Sequence, residues 1–508
     1  MAHYKPYSKD KIKLEISFDE TILPGTLEYT IHETVEREID TSRFDEYYKN
    51  DAVGAPAYDP KILLKSVLYA YSRGIVSSRR IAKLCRNDVT CIALSGGTKP
   101  HFTTIAHFVS SMDREIGEIF RDILAVCERS GLIGKDIFAL DGCKLPSNAS
   151  KEWSGTVSDF EKKRKKVEEE IERLREGLGE KGSADRDPQI REREVKRLAK
   201  LEATEKKLGD WLAEHDDKIG KRGTPIKSNI TDNESAKMKT CHGVVQGYDG
   251  LAMVDQKRQI AVYAEVFGEA QEQSLLEPMI ENTKKEFRSI ESSDNIFEKT
   301  KLTADAGFHT EKNMEKLYEE GIDAYIADNR FRRRDPRFAS AKRHKPITEK
   351  KAKRFRPRDF LYDKDKRSCI CPAGRKMYLK NRHFVVGGHK AVCFQGRSTD
   401  CRACPLRGQC LRREDQKTSR QVCFFEGKED KTSESFTEKM IRKIDSCKGR
   451  ILYGFRLGIV EPVFGNIRNN LGLFRFTLRG KPKVDIQWKL FNIVHNMGKI
   501  CRYGYAVS

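Results

Sequence analysis

The chain has 508 residues, 38% of them hydrophobic and 34% charged, and its 97 Lys and Arg against 76 Asp and Glu give a formal charge of +21. That length predicts two to four structural units with cores of their own and long solvated segments between them. The sequence offers no apolar run of about 18 residues for a membrane-spanning helix and no apolar stretch of a secretory signal in its opening MAHYKPYSKDKIKLEI, while its positive charge favours a polyanionic partner, because each neutralised phosphate releases counterions.

Residues 1–57 read as a loosely structured opening. From 58 to 130 the pattern is helical, with Ile62, Leu63, Val67 and Tyr71 at helical spacing and Gly74 as a stop. Ser77 and Ser78 stand where the next helix, carrying Ile81, Ala82 and Leu84, needs a cap. SGGTKP at 95–100 reads as a turn, and one longer helix is expected to run from Ile105 through Phe108, Met112, Ile116, Ile119 and Phe120 to Ile123. Short helices joined by tight turns, with Arg73, Arg79, Arg80, Lys83 and Arg86 outward, resemble a helix-turn-helix layout. A plain helical bundle with a solvated basic face fits the same pattern equally well.

DIFALD at 136–141 reads as a short buried strand ending on an acid. Beyond it, Phe160, Val167, Ile171, Leu174 and Leu178 form a heptad seam. GLGEKGSADRDP breaks the seam, and Val195, Leu198, Leu201, Leu208 and Leu212 make a second arm. This predicts an antiparallel helical hairpin inserted at 152–220, a spacer or dimerisation arm without chemistry of its own. From 241 to 327 strands alternate with helices: GVVQGYDGLAMVD and QIAVYAEVF pair, 271–285 is helical, KLTAD is a strand, 311–320 is helical and AYIA is a strand. That alternation favours an α/β sheet. Residues 328–430 interrupt it with basic, Cys-rich sequence, and from about 433 the chain is helical again, ending in an amphipathic helix with Trp488, Leu490, Phe491, Ile493, Val494 and Met497.

Two acids stand out. Asp141 closes IFALD and Asp305 closes KLTAD, both followed by small residues that let a ligand approach the backbone. Open α/β folds place their sites at this carboxyl edge of the sheet. Paired carboxylates suit phosphodiester chemistry, because two hard cations about 4 Å apart activate the attacking oxygen and stabilise the leaving one. A third carboxylate usually completes such a clamp, and Glu461 in GIVEPVFGNIRNN is the candidate, on a predicted helix with Arg468 two turns further on.

Long, ordered segments then resemble the DDE transposases of bacterial insertion sequences. YDPKILLKSVLYAYSRGIVSSRRIAKLCRNDVTCIALSGG with HFTTIAHF is similar to that family's helical N-terminal domain. FALDGCKLPSNASK resembles its first-Asp segment, LTADAGFHTEKNMEKL its second, and YGFRLGIVEPVFGNIRNNLGLFRFTLRG the segment carrying its glutamate. The resemblance implies a ribonuclease H-like α/β core at 133–508, holding the hairpin and the Cys-rich insertion, behind a helical DNA-binding domain at 1–132 that presents Arg79 and Arg80. It implies that Asp141, Asp305 and Glu461 bind catalytic Mg²⁺ or Mn²⁺, and that Tyr453, Arg456 and Arg468 touch DNA phosphates. Four residues separate Arg456 from Glu461 where related elements often have three, and position 468 is Arg where many have Lys. The implied reaction is metal-dependent hydrolysis at the ends of the element, followed by attack of the freed 3′-hydroxyl on target DNA. The implied partners are double-stranded DNA, as terminal inverted repeats and as target, and a second copy of the chain in the bacterial cytoplasm. A co-opted DNA-binding protein that keeps the fold without the chemistry, and a metal nuclease without strand transfer, are the alternatives.

With a reducing compartment expected, the 14 cysteines point to metal rather than disulfides. The pattern CxCP followed by CRACPLRGQC selects Cys371, Cys401, Cys404 and Cys410 as ligands of a structural Zn²⁺, with Cys369 or Cys393 as the substitute. RFRRRDPR at 330–337 makes the same insertion a basic clamp for DNA.

Overall fold

The computed structural model describes residues 15–48, 56–179, 188–220, 223–240, 243–338, 354–386, 389–413, 416–425 and 434–504. Two compact units divide the chain: 1–329 with 440–508, and the intervening 330–439.

The opening is more ordered than its sequence suggests. A helical turn at Phe18–Thr21 precedes helix α1 (Leu27–Arg37), and a 3₁₀ turn spans Ser42–Tyr47. Thr26 caps α1 by accepting from the Tyr29 amide at 3.2 Å. Its buried face rests on Ile31 and Val35, too short a repeat to announce itself. Helices α2 (Pro60–Ser72), α3 (Ser78–Asn87), α4 (Val89–Leu94), α5 (Phe102–Ser111) and α6 (Glu115–Arg129) follow. The single long helix expected through 105–123 is two. The Ser110 and Ser111 hydroxyls bond the carbonyls of His107 (3.2 Å) and Phe108 (3.3 Å), a local competitor of the helix ladder. The chain then breaks at Met112.

Strand β1 (Ile137–Pro146) does not end on its acid. It runs on because its antiparallel partner keeps pairing as far as Pro146 opposite Gly247. The inserted hairpin consists of α7 (Val157–Gly179) and α8 (Pro188–Glu214), and its expected breaker falls largely on 180–187, outside the described residues. Its base is apolar, where Phe160, Leu208 and Trp211 form one buried cluster, and further out Ile171 of the seam is buried as well. Further out the arms are joined by ion pairs such as Arg164–Glu205 (2.7 Å) and Arg175–Glu202 (2.6 Å). Val195 is exposed rather than part of the seam.

Strands β2 (Ala236–Thr240), β3 (Gly243–Asp255), β4 (Ala261–Phe267), β5 (Lys301–Ala304) and β6 (Ala324–Ile326) complete the main sheet, with α9 (Leu276–Ser289) and α10 (Glu311–Glu319) between them. Its order is β4-β3-β1-β5-β6, and β2 pairs with the first residues of β3. The pairs β1–β3 and β3–β4 are antiparallel, while β1–β5 and β5–β6 are parallel, so the fold is mixed α/β.

The second unit has a sheet of its own. It forms a five-stranded antiparallel meander of β7 (Leu361–Asp363), β8 (Ser368–Ile370), β9 (Lys376–Val386), β10 (His389–Gln395) and β11 (Gln421–Phe425). Short helices α11 (Ser398–Arg402) and α12 (Arg407–Cys410) lie between its last two strands. Phe360, Cys369, Met377, Val392, Phe394 and Val422 form its core. Cys393 and Cys423, opposite each other on β10 and β11, are disulfide-bonded. This departs from the expectation of thiols alone and removes Cys393 as a metal ligand. Direct cross-strand placement brings the two Cα atoms to 4.1 Å, close enough to bridge.

The chain returns to the first unit through α13 (Phe436–Asp445), α14 (Cys447–Gly465), a π turn at Asn466–Asn470 and α15 (Lys481–Tyr503). Helix α15 is the spine of this unit. Leu490, Phe491, Ile493 and Val494 are all buried, each worth about 1.5–3 kcal/mol of transfer free energy. Its polar side chains cover the open edge of β4: Asp485 accepts from the Val266 amide at 2.9 Å, and Asn496 pairs with both the N–H and the carbonyl of Ala261 at 2.9 Å. Trp488 donates to the Leu251 carbonyl at 2.9 Å, and it fits because residue 250 is glycine: a Cβ there would stand 3.0 Å from the indole. Among the described residues no helix is long and apolar enough to cross a membrane.

Candidate active site

Parallel pairing of β1 with β5 ends at Leu140 opposite Ala304, so the next residue of each strand is an acid: Asp141 and Asp305. They leave the same edge of the sheet side by side. Helix α14 crosses that edge and inserts Arg456 between them. Its Nη1 donates to Asp141 Oδ2 at 2.6 Å, and its Nη2 stands 3.3 Å from Asp305 Oδ1. The Arg456 side chain is 8% exposed, Asp141 23% and Asp305 44%, so the pair is sheltered on one side and open on the other.

Burial pushes the Asp141 carboxyl up to about 6, against the pull of Arg456 and of the Gly142 amide, with Asp305 adding repulsion. Burial alone would lower the Arg456 guanidinium, but Asp141, Tyr453 and Asp305 outweigh it and hold it above its ordinary value. The Tyr453 ring lies 5.7 Å from the guanidinium carbon, one turn back on the same helix.

Around this core are three groups that the sequence did not single out. Lys144, on the same strand as Asp141, reaches Glu272 Oε1 at 2.6 Å and stands 3.9 Å from Asp249 Oδ2. Asp249 faces Lys144 in the β1–β3 register and is fully buried, with neither carboxyl oxygen hydrogen-bonded among the described residues. Burial first, then the charge of Glu272, drives its carboxyl well above the ordinary range and favours the protonated acid. Two glycines make the room: a Cβ at 142 would meet Asp249 Oδ1 at 2.7 Å, and one at 307 would meet Glu272 Oε2 at 2.5 Å. The available signal was an Asp before a glycine inside the otherwise apolar GYDGLAM.

The remaining predicted residues are placed differently. Glu461 is on α14 but exposed, and among the described residues it makes no hydrogen bond or ion pair. The position between the two aspartates is filled by Arg456. Arg456 faces inward, because two adjacent carboxylates are good partners for a buried guanidinium. Arg468, in the π turn, lies beside Cys143, where burial drives the thiol up to about 11 and Arg468 opposes that rise. Pro462 leaves the Gly458 carbonyl without its helical donor, and Gln259 Nε2 approaches it at 3.4 Å. Arg79, Arg80, Lys83 and Arg86 are exposed on α3, with Arg79 over the Phe102 ring at 4.9 Å.

Asp141 and Asp305 offer hard oxygen donors of the kind Mg²⁺ and Mn²⁺ prefer. That one guanidinium spans both shows their oxygens converging on a single cation, so the residues fit a divalent ion. Among the described residues, however, no three His, Cys, Asp or Glu side chains are gathered in metal-holding geometry.

Residues 370–501 match the family described as Transposase DDE domain, a span that includes Tyr453, Arg456, Glu461 and Arg468. Residues 16–111 match the family described as Transposase domain (DUF772), which takes in α1 to α5 with Arg79 and Arg80. Asp141 and Asp305 lie outside both spans. No curated protein matches the chain. A transposase match at each end, over 16–111 and 370–501, supports a DDE-type transposase of the insertion-element kind.

Proposed function

We propose that this transposase cuts DNA at the ends of a mobile element and joins the freed ends to target DNA, with Asp141 and Asp305 as the firmest catalytic carboxylates. The observation that carries this reading is the shared cation: two acids on neighbouring parallel strands both touch Arg456. The strand order β4-β3-β1-β5-β6, parallel only beyond β1, is the one expected of a ribonuclease H-like core and supports that assignment.

Asp141 and Asp305 would hold Mg²⁺ or Mn²⁺, which when bound activates the attacking oxygen and stabilises the leaving one. Glu461 would join them from α14, five residues or about 1.4 turns beyond Arg456. Arg456 neutralises the aspartates while no metal is bound, and is then free to turn toward a phosphate. Lys144 keeps Glu272 paired, so that this acid does not compete for the cation. Tyr453, Arg468, Arg79 and Arg80 would contact DNA phosphates, and the helical segment 1–132 would grip the terminal repeats. Synapsis of two ends calls for at least two copies of the chain.

The test is cleavage of a duplex carrying the terminal sequences of the element. Wild type in Mg²⁺ should release a 3′-hydroxyl end, and Asp141→Asn and Asp305→Asn should abolish it; undiminished cleavage by either removes that residue from the site. The other reading, a DNA-binding protein without catalysis, is favoured by one observation: Arg456 already satisfies both aspartates while Glu461 stands apart. DNA binding with no cleavage in Mg²⁺ or Mn²⁺ would establish it.

A further inference from the structure

We infer that the second unit binds one structural Zn²⁺ through Cys371, Cys401, Cys404 and Cys410. Spacing leaves six cysteines in contention, and the fold sorts them. Cys369 points into the core of the meander, fully buried with its sulfur 3.8 Å from that of Met377. Cys393 is bonded to Cys423. The other four are partly exposed and line a single cavity of about 40 Å³ together with Pro372, Gly396, Arg407 and Arg420. A space that small suits an ion or one or two waters, not an organic ligand.

Each thiol sits on backbone that is already shaped. Cys371 opens a tight turn between β8 and β9: its carbonyl accepts from the Gly374 amide at 2.8 Å, and its amide donates to the Arg375 carbonyl at 2.9 Å. Gly374 has φ +76°, a conformation open to glycine and strained for other residues. Cys401 is on α11 and Cys410 ends α12, while the Cys404 carbonyl accepts from the Arg407 amide at 3.1 Å. Gly396 leaves room for the first of them, since a Cβ there would stand 2.9 Å from Cys401 Sγ. Two arginines fix the segment from outside: Arg407 donates to the Cys401 carbonyl at 2.9 Å and to the Gln416 carbonyl at 2.6 Å. Arg420 donates to the Cys410 carbonyl at 3.3 Å and to the Phe355 carbonyl at 2.8 Å.

Apart from these arginine contacts, the segment has little to hold its shape. From Arg397 to Cys410 no residue is buried, so α11 and α12 have no core of their own. Isolated helices of that length do not persist in water. The four sulfurs are not yet in ligand geometry. A soft-ligand divalent cation bound by these four as thiolates has a closed shell, leaving no position for a catalytic water.

The test uses the purified full chain, with zinc measured by elemental analysis and Co²⁺ substituted for the optical signature. About one Zn²⁺ per chain is expected, retained in Cys369→Ser and in the Cys393→Ser/Cys423→Ser double variant, and lost in Cys371→Ser and Cys404→Ser. Should the Cys404→Ser chain fail to fold, the Co²⁺-loaded wild type decides, since a thiolate-to-cobalt charge-transfer band of tetrahedral intensity is expected there. No zinc in the wild type, zinc retained in a folded Cys404→Ser variant, or a Co²⁺ form without the thiolate band would overturn the assignment. None of these readouts depends on the chemistry at Asp141.

Discussion

Replacing Arg456 by Gln tests the electrostatic design of the acidic site. Arg456 is 8% exposed and Asp141 23%, and removing one partner of a buried ion pair costs about 3–5 kcal/mol. Asp305 is 44% exposed, so its half of the bridge is screened and adds little. Asp141 can also relieve its loss by taking a proton, which places the expected cost at the low end, about 3 kcal/mol at pH 8. The pH dependence follows from the direction of the shift. The folded pKa of Asp141 is raised, to about 6. Below that pH the carboxyl is neutral and needs no partner, so the contribution of Arg456 is present above pH 6 and fades beneath it. Thermal unfolding of wild type and Arg456→Gln, followed in metal-free buffer from pH 5 to pH 8, should show a Tm gap of a few degrees at pH 8 that closes by pH 5. A gap of the same size at both ends, or none at pH 8, would refute the reasoning.

Three further expectations follow from single features. Since Asp141 titrates near 6, Mg²⁺ binding at pH 6 should release about half a proton; calorimetry in two buffers of different ionisation enthalpy measures it, and the same value in Asp141→Asn would contradict the assignment. Gly247→Ala should cost several kcal/mol or prevent folding, because the new Cβ would lie 2.0 Å from the Leu145 carbonyl oxygen on the paired strand; wild-type Tm in that variant would show the strands to be less rigid than drawn. Reducing the Cys393–Cys423 bond, which closes a loop of 30 residues, should destabilise the second unit by up to about 3–4 kcal/mol, read as a lower unfolding midpoint with reductant and as no reductant effect in the Cys393→Ser/Cys423→Ser variant.

Much of the candidate site was legible because it is local. An apolar strand ending near an acid and then small residues gave Asp141 and Asp305, and the sheet edge brings them together as that pattern implies. What was not legible depends on distant pairing. Lys144 and Asp249 meet only because of the β1–β3 register, and β1 outruns its apolar stretch for the same reason. Arg456 and Glu461 share a helix, and helical phase decides which one faces inward; a one-residue change of spacing from Arg to Glu turns the glutamate by about 100°. The meander of the second unit was hidden by its charge, since strands that are covered on one face only carry Lys and Arg on the other. The cysteines were readable as a metal set by spacing, but the choice between Cys369 and Cys371 needed the alternation of a strand that the sequence did not announce.

The most direct test of the central claim is strand transfer from pre-cleaved ends. Wild-type protein, Mg²⁺, a duplex with a recessed terminal 3′-hydroxyl and a target plasmid should yield covalently joined DNA, lost in Asp305→Asn and Glu461→Gln. Protein that binds both DNAs and forms no joined product in Mg²⁺ or Mn²⁺ would contradict it.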